Sequence, residues 1–145
     1  MTGSMQTAHM LDAIGAMVSQ LRQYAATLPP VVYLTAVPTG VKPTLETIDT
    51  YEECVSRVRA QSAGTPYKNF TERLIESLEA FEAGRLLGSV QPLLALLDQL
   101  ERMSQDKEIE VGRIDEKRIG EYRTVLRKIL PGNKPEMDSS GNVRG

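Results

Sequence analysis

The sequence predicts an all-α protein, a five-helix bundle in a single domain. In five separate stretches the apolar residues recur at alternating steps of three and four, which is the spacing of one face of an α-helix. Most joints between these stretches are only a few residues long, so we expect consecutive helices to be antiparallel neighbours. A chain of 145 residues is also long enough to bury a core without disulfides or a structural metal.

The first predicted helix spans residues 5–28 and carries almost no charge. Between Met5 and Leu28 the only formally charged residues are Asp12 and Arg22. A helix without a charged face is usually covered on more than one side. Two interpretations stand about equally: a central helix of the monomer, or a helix shared with a second subunit. The apolar stripe of this helix consists of Met10, Ile14, Met17, Leu21, Tyr24 and Leu28.

The second and third helices are expected from Pro43 to about Gln61 and from Thr65 to about Leu87. Proline suits the first turn of a helix, and Gly88 suits the left-handed residue that ends the third one. The two apolar stripes are Ile48, Tyr51, Val55 and Val58 in the second helix, and Phe70, Leu74, Leu78 and Phe81 in the third.

The fourth helix is expected to begin at Ser89, as its N-cap, with Pro92 in the first turn that tolerates proline. The run PLLALL over residues 92–97 is apolar nearly all the way round. Such a helix is buried in a core or at an interface.

The fifth helix is bounded by charges that suit its two ends. Asp115 and Glu116 are favourable near a helix N-terminus, and Arg127 and Lys128 are favourable near a C-terminus. Beyond it, residues 133–145 are polar and glycine-rich without periodicity, so we expect a disordered tail after a domain that covers residues 1–132. The stripe of this helix is Ile119, Tyr122, Leu126 and Ile129.

The stretch LPPVVYLTAVPTGVKP, residues 28–43, interrupts the helical pattern. Prolines at both ends keep it extended and exclude a helix. Residues 31–37 could pair with residues 107–113, where Ile109 and Val111 alternate with glutamates, as a minor two-stranded ribbon. The other interpretation is an extended crossover over residues 29–42 that docks in a groove. We favour the crossover slightly, because its apolar residues are consecutive.

The overall charge narrows the possible partners. A net charge of −2 and a pI near 5.5 argue against a general binder of nucleic acids or anionic membranes. A single cysteine excludes an intramolecular disulfide framework and favours a reducing compartment. With no secretory leader and no apolar run of transmembrane length, we expect a cytoplasmic protein without a membrane partner.

No motif for catalysis, a metal or a cofactor is evident. His9 is the only histidine, and Cys54 lies beside an apolar stripe, where a free cysteine is usually a small buried residue. Glu72, Glu76 and Glu79 share one helix face, but no Glu-x-x-His accompanies them. We therefore predict a protein that is not an enzyme and has no catalytic, cofactor or metal site.

Two classes of function remain. The first is a protein–protein interaction module, such as a small adaptor, scaffold or assembly subunit, that uses surplus apolar helix surface to form homo-oligomers or to bind another protein. The second, which the acidic composition disfavours, is a nucleic-acid-binding or regulatory module that uses the basic fifth helix. The predicted interface residues are Met10, Ile14, Met17, Leu21, Leu93, Leu94, Leu96 and Leu97; the nucleic-acid residues of the alternative are Lys117, Arg118, Arg123 and Arg127.

Overall fold

A computed structural model describes residues 6–27 and 42–129 of the chain. Within these residues the chain forms five helices and no strand, which confirms the predicted all-α five-helix fold. None of the described helices has a stretch long and apolar enough to cross a bilayer. The predicted crossover 29–42, apart from residue 42, and the predicted tail 133–145 lie outside the described residues. The helices are α1 (Thr7–Ala26), α2 (Leu45–Ser62), α3 (Phe70–Glu82), α4 (Leu86–Gln105) and α5 (Arg113–Ile129).

Contacts at the two ends of the bundle define the helix directions. At one end Tyr51, early in α2, stacks on Phe81, late in α3, with ring centroids 4.4 Å apart. Tyr24, late in α1, meets the same ring edge-on at 5.5 Å. At the other end Thr7, which begins α1, shares a 2.5 Å hydrogen bond with Tyr67, which follows α2 and precedes α3. Successive helices from α1 to α3 are therefore antiparallel, as expected from the short joints.

The turn between α3 and α4 comes earlier than the sequence pattern predicts. α3 ends at Glu82, and Gly84, with φ of 76°, adopts the left-handed conformation predicted for Gly88. Gly88 lies inside α4 instead, where an added Cβ would come within 3.2 Å of the Ala80 Cβ. The absence of a side chain at Gly88 thus permits the close approach of α4 to α3.

The predicted N-cap at Ser89 is wrong for the same reason. α4 begins at Leu86, so Ser89 is an interior residue and Pro92 lies beyond the first turn. Ser89 is fully buried, and its hydroxyl donates a 3.0 Å hydrogen bond to the carbonyl of Ser77 in α3. A hydroxyl that would suit an exposed cap is therefore used between two packed helices.

α3 also begins later than predicted, at Phe70 and not at Thr65. The Thr65 hydroxyl donates to the carbonyl of Ser62 at 2.6 Å and accepts from the backbone N–H of Tyr67 at 3.1 Å. Local hydrogen bonds of this kind compete with the helical ladder. They hold the segment between α2 and α3 as a series of turns.

The joint between α4 and α5 contains no strand. Lys107 has a left-handed φ of 61° and lies in a turn, and Arg113 already belongs to α5. Ile109 and Val111 are half-buried and pack against the core. The partner strand of the predicted ribbon, residues 31–37, falls outside the described part of the chain.

A small polar cluster lies within the apolar core where α2, α3 and α4 meet. The Tyr51 hydroxyl is 2.6 Å from Ser77 Oγ and 3.2 Å from Ser89 Oγ. Ser77 Oγ donates to the Ser89 carbonyl at 2.7 Å, while Ser89 Oγ donates to the Ser77 carbonyl. With both serine protons directed to carbonyls, the Tyr51 hydroxyl is the donor to Ser77. Burial raises the pKa of Tyr51 far above its usual value.

Alkaline pH should destabilise the protein through Tyr51. The folded state binds the phenolic proton more tightly than the unfolded state, whose pKa is about 10. The resulting stabilisation is fully present below that pH and is lost as the pH rises above it. We expect the free energy of unfolding, measured by urea denaturation, to fall less steeply above about pH 10 in Tyr51→Phe than in the wild type.

Tyr51→Phe itself should cost about 1 kcal/mol near neutral pH, because the hydrogen bond to Ser77 is lost. Parallel curves for Tyr51→Phe and the wild type would contradict the assignment.

Candidate interaction surfaces

The position of α5 determines which of its basic residues are available to a partner. Its buried side chains Ile119, Leu126 and Ile129 face α1 and α4, the two helices that α5 packs against. Going along the chain, Asp12 and Gly15 of α1 contact residues 118 and 122 of α5 in the same order, so α5 runs parallel to α1. The opposite side of α5 faces solvent.

Arg118 fastens α5 to α1. Its Nη2 donates to Asp12 Oδ1 at 2.6 Å, and its Nη1 lies 3.6 Å from Asp115 Oδ1 on the same helix. Nε and Nη2 of the same guanidinium also donate to the Tyr122 hydroxyl, at 3.3 and 3.1 Å. Tyr122 in turn lies directly over Gly15, where an added Cβ would come within 2.7 Å of its Cζ. A glycine at position 15 is therefore what permits this tyrosine to lie between the two helices.

Arg123 fastens α5 to α4 in the same way. Its Nη2 is 2.9 Å from Asp98 Oδ1 and 3.2 Å from Glu101 Oε1. The guanidinium is largely buried, and its Nε is buried without a hydrogen-bond partner among the described residues. Arg118 and Arg123, two of the four predicted nucleic-acid residues, thus form ion pairs within the chain. The sequence pattern missed this because the paired acids lie on other helices.

The outer side of α5 carries a separate set of charges, which we name the basic face. It consists of exposed cations that form no ion pair with the rest of the described chain: Arg113, Lys117, Arg127 and Lys128. Glu116 and Glu121 are exposed beside them. Ile114, at 78 % exposure, lies three residues before Lys117 and thus on the same side of the helix. Lys117 and Arg127, the other two predicted nucleic-acid residues, belong to this face.

The outer sides of α2 and α3 form an acidic face. Three exposed arginines, Arg57, Arg59 and Arg73, are outnumbered there by eight exposed carboxylates, four from each helix. Leu45, 80 % exposed, shares a helical stripe with Asp49 and Glu52. No ion pair among the described residues neutralises these carboxylates, which are Glu46, Asp49, Glu52, Glu53, Glu72, Glu76, Glu79 and Glu82.

The two charged faces lie on different sides of the molecule. α5 packs on α1 and α4, whereas α2 and α3 pack on each other and make no extensive contact with α5. A shallow groove of about 530 Å³ crosses the edge of the acidic face, between Glu72, Arg73 and Glu76 of α3 and Gln99 of α4. The protein is thus electrostatically polarised from one side to the other.

The predicted apolar interface residues lie inside the single chain. The four on α1 are fully buried between α2, α4 and α5, as expected for a central helix. Three of the four leucines on α4 are also fully buried, and Leu94 is half-buried. Packing within one copy therefore accounts for the apolar surface on which the interface prediction rested. The residues are Met10, Ile14, Met17 and Leu21 on α1, and Leu93, Leu94, Leu96 and Leu97 on α4.

The residues considered for catalysis or metal binding are separated. Cys54 is buried, and burial raises the pKa of its thiol, with Arg57 opposing and Glu53 adding to the shift. His9 is exposed at the start of α1. Among the described residues no three histidine, cysteine or acidic side chains cluster in a way that could hold a metal ion. The stripe of Glu72, Glu76 and Glu79 is thus a charged surface.

A second groove, of about 390 Å³, lies at the end of the bundle where α1 and α5 begin. It is lined by Thr7, Tyr67 and Glu110 among others, and the Thr7 hydroxyl is 2.9 Å from the Glu110 carbonyl. Its hydroxyls are thus already hydrogen-bonded within the chain.

No family model, curated protein or solved structure matches this sequence. The surface chemistry is therefore the basis for a proposal about function.

Removing the Arg123 side chain should weaken the packing of α5 on α4 and lower the free energy of unfolding. Arg123→Ala breaks two ion pairs to α4 and deletes a side chain that is largely buried. Since Asp98 and Glu101 are more than half exposed and stay hydrated, we expect a loss of only about 1 kcal/mol in the free energy of unfolding by urea. Arg127→Ala, which removes an exposed arginine that has no ion pair among the described residues, should change the free energy of unfolding by less than about 0.5 kcal/mol. Equal losses in both variants would refute a docking role for Arg123.

Proposed function

We propose that this protein is a non-enzymatic interaction module, a small helical adaptor, scaffold or assembly subunit, whose recognition surface is the acidic face. The observation that carries the proposal is the set of eight exposed carboxylates on α2 and α3, which outnumber the arginines there and form no ion pair with a cation of the described chain. Three acids elsewhere, Asp12, Asp98 and Glu101, form ion pairs with arginines of another helix. A surface with an excess of charge of one sign attracts a partner of the opposite sign and speeds its encounter.

The packing of α2 and α3 beneath the acidic face supports binding through a rigid surface. The acidic face stands on two adjacent helices whose inner sides are held by the Tyr51 cluster and the aromatic stack on Phe81. Charges on packed helices keep fixed spacings, which favours one partner over another. The proposal gives no catalytic role to Cys54, whose raised pKa favours the unreactive thiol, and it places the protein in the cytoplasm, where a free thiol stays reduced.

Charge reversal on the acidic face tests this function. The acidic-face variant, Glu52→Lys with Glu76→Lys, alters one exposed residue on each helix, and neither residue forms an ion pair within residues 6–27 and 42–129. In affinity purification from cells with quantitative mass spectrometry, we expect proteins enriched by the wild type to fall at least about tenfold with the variant, because six carboxylates against five cations leave little net attraction.

The matched control is Asp106→Lys with Glu108→Lys, which makes the same change in net charge at exposed positions after α4. It should retain the enriched proteins. Circular dichroism should give equal helix content for all three proteins. Partners that survive in the acidic-face variant, or vanish equally in the control, would refute the acidic face as the recognition surface.

The second candidate function is nucleic-acid binding through the basic face. Four exposed cations on one side of α5, which form no ion pair with the described part of the chain, favour this function. Glu116 and Glu121 lie among them and would repel phosphates, so we rank this function second.

The basic-face variant, Lys117→Glu with Arg127→Glu, tests the second candidate. If nucleic acid is the ligand, fluorescence anisotropy with a labelled DNA duplex and a labelled RNA should detect binding at about 50 mM salt that weakens steeply toward 200 mM. The basic-face variant should abolish that binding. No change in anisotropy with either probe at low salt would eliminate this function.

A further inference from the structure

We propose that one partner of the acidic face is a second copy of this chain, which docks through its basic face. The inference rests on the proposed interaction function and names the occupant of its surface. Like charges exclude contact between two acidic faces or between two basic faces, since each arrangement sets unneutralised groups of one sign against one another. Contact between unlike faces brings Arg113, Lys117, Arg127 and Lys128 against the carboxylates of α2 and α3.

Each face also carries one of the two large apolar side chains that stand most exposed in the described structure. Leu45 lies in line with Asp49 and Glu52 on the acidic face, and Ile114 lies beside Lys117 on the basic face. Interfaces typically combine a few apolar anchors with a surrounding polar rim. Head-to-tail docking would remove one leucine and one isoleucine from water at each junction.

The position of the two faces determines the kind of assembly. Because α5 lies on α1 and α4, away from the outer sides of α2 and α3, a copy that docks by its basic face leaves its own acidic face free. Contacts of this heterologous kind continue from copy to copy, and they give a ring if the rotation closes or an open chain if it does not. The assembly is therefore not limited to a dimer with two-fold symmetry.

The glutamates of the basic face fit this occupant better than they fit a nucleic acid. Glu116 and Glu121 would meet only negative charge on a phosphate backbone. On the acidic face of a second copy, these glutamates can form ion pairs with Arg57, Arg59 and Arg73. The acidic face and the basic face thus each carry an excess of charges of one sign and a few charges of the opposite sign.

Sedimentation velocity over a concentration series, from about 10 to about 300 µM at low salt, tests the proposal. The wild type should exceed the 16 kDa of one chain, with a weight-average mass that keeps rising beyond a dimer. Raising NaCl from about 50 mM to about 500 mM should weaken the association at least tenfold, because screening acts on exposed charges. A 16 kDa species throughout this series at low salt would overturn the proposal.

Mixing the two charge-reversal variants makes the test specific. The acidic-face variant leaves six carboxylates against five cations on its acidic face, so alone it should associate far more weakly than the wild type. The basic-face variant is net acidic on both faces, so alone it should stay monomeric. In an equimolar mixture the unaltered basic face of one variant meets the unaltered acidic face of the other, so the two variants should form a heterodimer. Association of either variant alone to the wild-type extent, or no association of the mixture, would overturn the proposal. The control variant Asp106→Lys with Glu108→Lys should behave like the wild type.

The results of these experiments distinguish failure of the self-docking proposal from failure of the proposed interaction function. If the wild type is monomeric but loses cellular partners on reversal of the acidic face, the self-docking proposal fails and the interaction function stands. If the wild type is monomeric and the basic-face variant loses DNA or RNA binding, the basic face serves a nucleic acid and the proposal also fails. If self-association is present and the enriched proteins do not depend on the acidic face, only the second copy occupies it.

Discussion

The need to cover α1 on several sides organises the rest of the fold. This helix of 20 residues has one acid and one arginine, and an apolar side chain directed at each of its neighbours. Two adjacent helices of an antiparallel bundle cannot enclose such a helix, so α5 covers the side that α2 and α4 leave open. Asp12, the one carboxylate of α1, is directed to the helix that completes this cover and pairs there with Arg118.

Covering α1 also divides the surface charge. Two arginines of α5 turn inward to the acids of α1 and α4, and the remaining basic residues of α5 face solvent. α2 and α3 have no comparable inward ion pair among the described residues, and their acids all stay at the surface. The polarity of the molecule is thus a by-product of how its core closes. Such a surface is available for recognition without further change of structure.

The sequence predicted the number of helices and most buried positions, because the spacing of apolar residues is a local signal. It misplaced the turn before α4 because Gly84 and Gly88 are both plausible helix stops, and only packing of Gly88 on Ala80 distinguishes them. The ion pairs of Arg118 and Arg123 join residues 106 and 25 positions apart, respectively, and no spacing rule within a helix indicates them. Surplus apolar surface on α1 could not be judged without knowing that α5 covers it.

The reciprocal hydrogen bonds of Ser77 and Ser89 determine the alignment of α3 along α4. A leucine-rich helix offers nearly the same apolar surface at several offsets, so neighbouring packings would be close in energy. Sliding one helix by a single turn, about 5.4 Å, would separate both hydroxyls from their carbonyls and leave them unsatisfied in the core. It would also move Gly88 away from Ala80, the contact that brings the backbones close. Two small serines and a glycine thereby select one alignment of α3 along α4. Leucine packing alone would leave several alignments almost equal in energy.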